Sequence, residues 1–411
     1  MKYYTHILLV SSILLLVISC SKNEEEIIDS EQIFDVNASF EKQIMSIPNN
    51  SFTDESLITE YSEIMKEVLT MAKDAEFRNY IYKESVNESN AGDDYLVNIV
   101  DVSDAFKSKG GAFSKSSENL GRLDSKIRSI DASIEPMVFF PKAETIEDRV
   151  IANKNYDVSK NLNEPIAVLK GAYNDDYSAP GYTLNANGDL VYNQMINEDF
   201  AWNNDVYVIG ARENTGLVVG PCGEENYQKN SNDCYATGGG GGGGSSTRNT
   251  RVNGRAELGG ELQVTSDLNE IEHWFSGKLE FRMVVAGVEG SAATVIRDLA
   301  FGKVKRKHFR DKKWYDYDVF LFNWNLNNLG DFNIEKWIEV DGGPTGEISI
   351  TLPGRAAKPA SGDTPAVSAF PGGTAKVSFK RDDDDLGVSL IQFTDDLTQE
   401  YSLGKIKIRR N

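Results

Sequence analysis

The chain has 411 residues and carries 63 acidic against 43 basic side chains, a formal net charge of −20, which repels phosphate backbones and argues against nucleic-acid binding. Hydrophobic residues make up 40% and aromatics 10%, enough to build cores, so wholesale disorder is excluded. Three histidines, one of them the leader residue His6, and three cysteines exclude a zinc site built mainly from imidazoles, an HExxH protease and an iron–sulfur cluster.

Residues 1–19 read as a signal peptide. Lys2 supplies a basic start, and Ile7 to Ile18 form an apolar run interrupted by Ser11 and Ser12. A spanning helix needs ~20 apolar residues, so this run is too short to be one. It ends in Val17-Ile18-Ser19-Cys20, which resembles the lipobox of bacterial lipoproteins. That resemblance implies cleavage before Cys20 and acylation of its thiol and new amino group. The acyl chains would then attach the protein to a membrane, each buried CH₂ contributing ~0.8 kcal/mol. The tether, residues 20–30, contains Ser21-Lys22-Asn23-Glu24-Glu25-Glu26 and resembles the export signal of Gram-negative surface lipoproteins. The expected location is the outer membrane, lipid-anchored and exposed at the cell surface.

Residues 31–130 read as a helical region. Ile33, Asn37, Phe40, Ile44 and Ile47 recur at helical spacing until Pro48-Asn49-Asn50 breaks the run. A second helix is predicted from about Thr53, with Asp54 and Glu55 in its first turn and a core stripe of Leu57, Tyr61, Ile64, Met65, Val68, Ala72 and Ala75. Phe77, Tyr80 and Ile81 continue it or begin a third. Residues 86–118 hold little beyond Tyr95–Val102, and a helix is predicted over Leu120–Ile130. Residues 131–220 form a β-rich middle section with strands at Met137–Phe140, Ile166–Leu169, Leu190–Tyr192 and Val206–Gly210. Asn185-Ala186-Asn187-Gly188-Asp189 reads as a hairpin turn, because Asn and Gly tolerate positive φ.

Residues 221–254 read as a linker. The glycine run Gly238–Gly244 lacks the following Lys-Ser/Thr that a phosphate-cradling loop needs. Cys222 and Cys234 precede it, and in an envelope protein they are expected to form a disulfide worth ~3 kcal/mol in the chain-entropy picture.

Residues 255–411 read as successive strands, at Leu258–Thr265, Leu279–Val285, Val319–Phe322, Trp337–Val340, Ile348–Leu352, Lys376–Lys380, Ser389–Phe393 and Lys405–Arg409. The fold class is therefore α+β and multidomain: a short helical region, a mixed β-rich middle and a C-terminal antiparallel β-sandwich. Three connections are acidic: Ser266-Asp267-Leu268-Asn269-Glu270, Glu339-Val340-Asp341-Gly342-Gly343 and Asp382-Asp383-Asp384-Asp385-Leu386-Gly387. Calcium takes six to eight oxygens, and Asp267, Glu270, Glu339, Asp341, Asp382, Asp384 and Asp385 are the candidate ligands. The order of strand, acidic loop, Asp-Asp-Leu-Gly and strand resembles the calcium-dependent phospholipid-binding (C-two type) sandwich. A solvated acidic turn is the plainer reading of the same residues.

A basic cluster, Lys303, Lys305, Arg306, Lys307, Arg310, Lys312 and Lys313, suits either an acidic partner or an edge strand blunted by charge. The whole chain is similar to uncharacterised cell-surface lipoproteins, through its lipobox, the Val206–Gly210 strand followed by Glu213, and the Asp-Asp-Leu-Gly segment. No catalytic motif is present: His273 and His308 accompany no Gly-x-Ser-x-Gly elbow. The expected function is non-catalytic binding or adhesion, with a glycan, protein or lipid headgroup as ligand. The alternatives are an envelope hydrolase working through carboxylates and a structural subunit of a surface complex.

Overall fold

A computed structural model describes residues 34–87, 95–152, 163–212, 250–317, 319–341, 345–362, 365–380 and 383–410. Cys20, the Cys222 and Cys234 pair, the glycine run and Asp382 lie outside the described residues. What is described is α+β, in two units.

In the first unit, α1 (Phe40–Met45) leads through the two-residue strand β1 (Asn49–Asn50) to α2 (Glu55–Met71). Asp54 caps α2 by accepting from the Ser56 N–H at 2.8 Å, and Asp74 caps α3 (Ala75–Ser85) through the Glu76 N–H at 2.7 Å, each satisfying an otherwise orphaned amide. Of the expected stripe, Tyr61, Ile64, Met65, Val68 and Ala72 are buried, joined by Ile58 and Leu69; Leu57 is half-buried, and Ala75 is exposed at the start of α3. Then come β2 (Leu96–Asn98), α4 (Ile99–Phe106) and α5 (Gly111–Ile130).

The end of α4 and the first turns of α5 depart from the expectation that residues 86–118 hold little beyond Tyr95–Val102. The Ser- and Gly-rich start of α5 lacks a continuous apolar stripe, whereas Ile99, Val102 and Phe106 give α4 a buried one. The helices are held by packing on each other, with the buried Ser103 hydroxyl donating to the Ser117 carbonyl at 2.8 Å.

The rest of the unit is β3 (Pro136–Phe139), α6 (Lys142–Ala152), β4 (Ile166–Leu169), β5 (Ala172–Tyr173), β6 (Ala179–Leu184), β7 (Leu190–Ile196), α7 (Glu198–Asn203) and β8 (Val206–Ala211). Six strands form one sheet in the order β2-β3-β8-β4-β6-β7, in which only β4 and β8 run parallel. The β6–β7 hairpin turns at Asn185–Asp189 as expected, with Gly188 at φ +87°. Helix α2 packs on β4, β6 and β8. Residues 31–130 and the middle section therefore share one core.

The second unit holds β9 (Ala256–Leu258), β10 (Glu261–Val264), β11 (Leu279–Glu289), β12 (Ala292–Val304), β13 (Trp314–Asp316), β14 (Phe320–Asn323), β15 (Phe332–Glu339), β16 (Thr345–Leu352), β17 (Gly373–Lys380), β18 (Asp384–Gln392), β19 (Tyr401–Ser402) and β20 (Ile406–Arg409). The expected single strand Leu258–Thr265 is two strands in different sheets. The break falls at Gly260, whose φ of +103° and contact with the Arg409 carbonyl leave no room for a side chain. The long strand β12 was not expected, because Arg297, Asp298 and Gly302 interrupt its apolar pattern. Asp298 is met across the ladder by Arg282 at 2.7 and 2.8 Å.

The two four-stranded sheets run β13-β10-β20-β19 and β12-β11-β15-β18. Alternate residues of β11 explain the layering. Leu279, Phe281, Met283 and Val285 join Leu262, Val264, Ile406 and Ile408 in one core. Val284, Ala286 and Val288 join Ile350, Leu352, Ala375 and Val377 of the β16–β17 hairpin in a second. The middle sheet is thus covered on both faces over this stretch.

The Asp-Asp-Leu-Gly segment lies in strand β18 rather than in a loop. Gly387 takes φ +116° at a register shift opposite Trp337 and Ile338, and a Cβ there would overlap the Leu403 carbonyl. The glycine serves a β-bulge.

Candidate functional site

The units meet through the basic cluster. Arg306, whose side chain is buried, donates to the Glu198 carboxylate at 2.7 and 3.2 Å and to the Glu272 carbonyl at 2.7 Å. The Lys307 N–H donates to Glu144 at 2.7 Å, Lys305 pairs with Glu147, and the Arg310 guanidinium lies on the Trp202 ring. Much of what reads in sequence as a surface patch is therefore an interdomain latch, because acids of α6 and α7 stand opposite it. Trp274 and Phe275 enter the core of the first unit, and the indole N–H of Trp274 donates to the Tyr177 carbonyl at 2.8 Å. Tyr177 holds φ +60° to present that carbonyl, a backbone conformation costly for an aromatic residue.

Beside this seam lies a cleft of about 690 Å³. The first unit contributes Ser51, Phe52, Asp54, Lys170, Tyr173, Tyr177 and Arg212, and the second contributes Asn269 to His273, Phe275, Ser276, Asp341 and Asp384. His273 caps the short turn Trp274–Ser276, its Nδ1 accepting from the Phe275 N–H at 3.3 Å. Its ring packs 4.1 Å from Tyr173 and 3.6 Å from Phe275. Burial lowers its pKa to about 3, so the imidazole is neutral and built into the wall. His308 packs against Tyr315 at 5.4 Å.

The candidate calcium ligands scatter. Asp267 caps the turn Leu268–Glu270 through the Asn269 N–H at 2.9 Å, and Glu270 is exposed at the cleft. Asp384 pairs with Lys405 and Asp385 with Lys336, each at 2.7 Å: Lys336 comes from the paired strand β15, and Lys405 from the β19–β20 turn of the other sheet. Glu339 and Asp341 do come together, and Glu272 joins them: one oxygen from each lies within 4.8 Å of the others. Glu339 is fully buried. Its Oε1 accepts from the Glu280 N–H at 3.1 Å, and its Oε2 has no hydrogen-bond partner. Burial, and then the carboxylates of Glu272, Asp341 and Glu280, hold the Glu339 carboxyl well above the usual carboxylate range. Asp383 braces this corner, accepting from the N–H groups of Asp341 at 2.9 Å and Lys380 at 2.8 Å.

Sequence reasoning passed over Glu272, which sits in the same short run as His273, and Asp383, which sits in the acidic run. No local signal could have found them: Glu272 lies between β10 and β11 and Asp383 just before β18, and only the tertiary structure brings each to the end of β15. In comparisons with known proteins, no family model, no curated protein and no solved structure matches the chain.

Proposed function

We propose that this is a lipid-anchored binding protein of the outer-membrane surface, not an enzyme, and that its ligand occupies the cleft between the two units. The observation that carries the reading is the cleft itself. It is large enough for a small ligand and joins aromatic faces (Phe52, Tyr173, Tyr177) to carboxylates and an amide (Glu270, Glu272, Asp341, Asn269). Rings that stack on sugar faces beside groups that accept hydroxyl protons favour a glycan over a lipid headgroup. The lipobox at Cys20 and the acidic tether support the anchor and its location. The C-terminal unit, on this reading, is a β-sandwich of two sheets with a third layer added, and calcium is its expected ion.

The test is an oligosaccharide array probed with the full chain in detergent. Wild type should retain a defined set of glycans, and Tyr177→Gly, which relieves the positive φ while removing the ring, should lose them without losing stability. An array with no retained glycan, or retention unchanged by Tyr177→Gly, would count against the reading.

A further inference from the structure

We infer that Glu272, Glu339 and Asp341 form a calcium site in the wall of the cleft, and that the bound ion ties strand β15 to the segment that docks the second unit onto the first. The inference rests on the calcium part of the proposed function and gives it a donor set, of which Glu272 is new and four of the other expected acids are absent.

Three acidic side chains close together are not a site in themselves. The further observation is the state of Glu339. It is fully buried, its Oε2 meets no donor, and the carboxylates of Glu272 and Asp341 stand over it at the cleft side. A buried carboxylate without a counter-charge is costly. The same strand shows how the fold treats a carboxylate kept for structure: Glu335, four residues earlier, is given Arg410. At Glu339 the neighbours are more carboxylates. A hard cation bound by oxygen answers that deficit, and calcium accepts carboxylates in irregular geometry, completing its shell with water.

The position gives the ion a consequence. Glu272 lies next to His273-Trp274-Phe275, whose indole and phenyl groups sit in the core of the first unit, and its carbonyl accepts from the latch residue Arg306. Drawing Glu272 toward Glu339 and Asp341 therefore fixes the docking segment and the cleft wall together.

The experiment uses the full chain in detergent, stripped with EGTA and then titrated with calcium or magnesium without any glycan, followed by calorimetry and by terbium luminescence sensitised through Trp274. One calcium should bind per chain. Glu339→Gln and Asp341→Asn should each weaken it at least tenfold, while Asp385→Asn, outside the cleft, should leave it unchanged. Limited proteolysis should show the segment around residues 269–276 protected by calcium. Asp341 is only partly buried, so its variant tests the site if Glu339→Gln unfolds. Absence of saturable calcium binding, loss of binding in Asp385→Asn, or wild-type binding in both ligand variants would overturn the inference. Glycans still retained on the array in EGTA would leave the binding function standing while the ion fails.

Discussion

Glu335 and Glu339 lie on one face of strand β15, both fully buried, and the fold treats them in opposite ways. Glu335 accepts from the Trp337 indole N–H at 2.5 Å and pairs with Arg410. Arg410 in turn approaches Glu257 at 3.7 Å, and Glu257 is held by Arg251 at 2.8–3.0 Å and by the Trp324 indole at 2.7 Å. Two acids thus meet two arginines. Asp205 in the first unit is similarly met by Lys142 at 2.6 Å and Arg78 at 3.0 Å. Glu339 has Glu272, Asp341 and Glu280 instead. The contrast separates a carboxylate that locks a core from one whose Oε2 meets no donor and whose neighbours are carboxylates.

The largest way to break the contrast is Arg410→Met. Removing one partner of a buried pair costs about 3–5 kcal/mol, and chemical denaturation should show a loss of that size. Gly387→Ala would disturb the bulge opposite Trp337, between the two glutamates, by forcing a side chain into positive φ against the Leu403 carbonyl. A cost of about 3 kcal/mol is expected from the same measurement.

Calcium sharpens the comparison. At 100 times its dissociation constant it should stabilise wild type by about 2.7 kcal/mol, read as a rise in Tm that EGTA reverses and that Glu339→Gln cuts to about half or less. In EGTA, the same Glu339→Gln should raise stability at neutral pH by on the order of 1 kcal/mol, opposite in sign to Arg410→Met. A loss of stability there would mean that Glu339 is a paired, structural acid after all.

The latch supplies the smallest effect. Burial, partly offset by the Lys307 N–H and nearby Arg310 and Arg306, raises the Glu144 pKa above its ordinary 4.5. The folded chain therefore keeps this proton at pH values where the unfolded chain has lost it. That contribution is complete below about pH 4.5 and is lost as pH rises through the native value, at no more than about 1.4 kcal/mol per unit. The difference in stability between wild type and Glu144→Gln, followed by denaturation from pH 4 upward, should shrink accordingly.

Legibility follows the reach of each interaction. Helix α2, strand β4 and the Asn185–Asp189 turn are set by neighbours in sequence and were readable from periodicity and turn chemistry; Asp54, expected in the first turn of α2, is its cap. The start of α5 and strand β12 were not, because contacts outside their own pattern hold them: α5 packs on α4 and α2, and Arg282 of β11 meets Asp298 inside β12. Of the candidate ligands, Glu339 and Asp341 were found because they end a strand in an acidic segment. Asp384 and Asp385 were given to calcium because sequence does not reveal that sheet stacking brings Lys405, and strand pairing Lys336, beside them.

The sequence by itself determined composition-level exclusions, the helical stripe, most strand positions and the expectation of an acyl anchor, since each depends on residue type and local spacing. Only the tertiary structure decided that the basic cluster is largely a latch and that the Asp-Asp-Leu-Gly segment is a bulged strand. It alone brought Glu272 to Glu339 and Asp341. Charge acts through space over a few ångströms, and which charges come that close is fixed by chain crossings that no local pattern records.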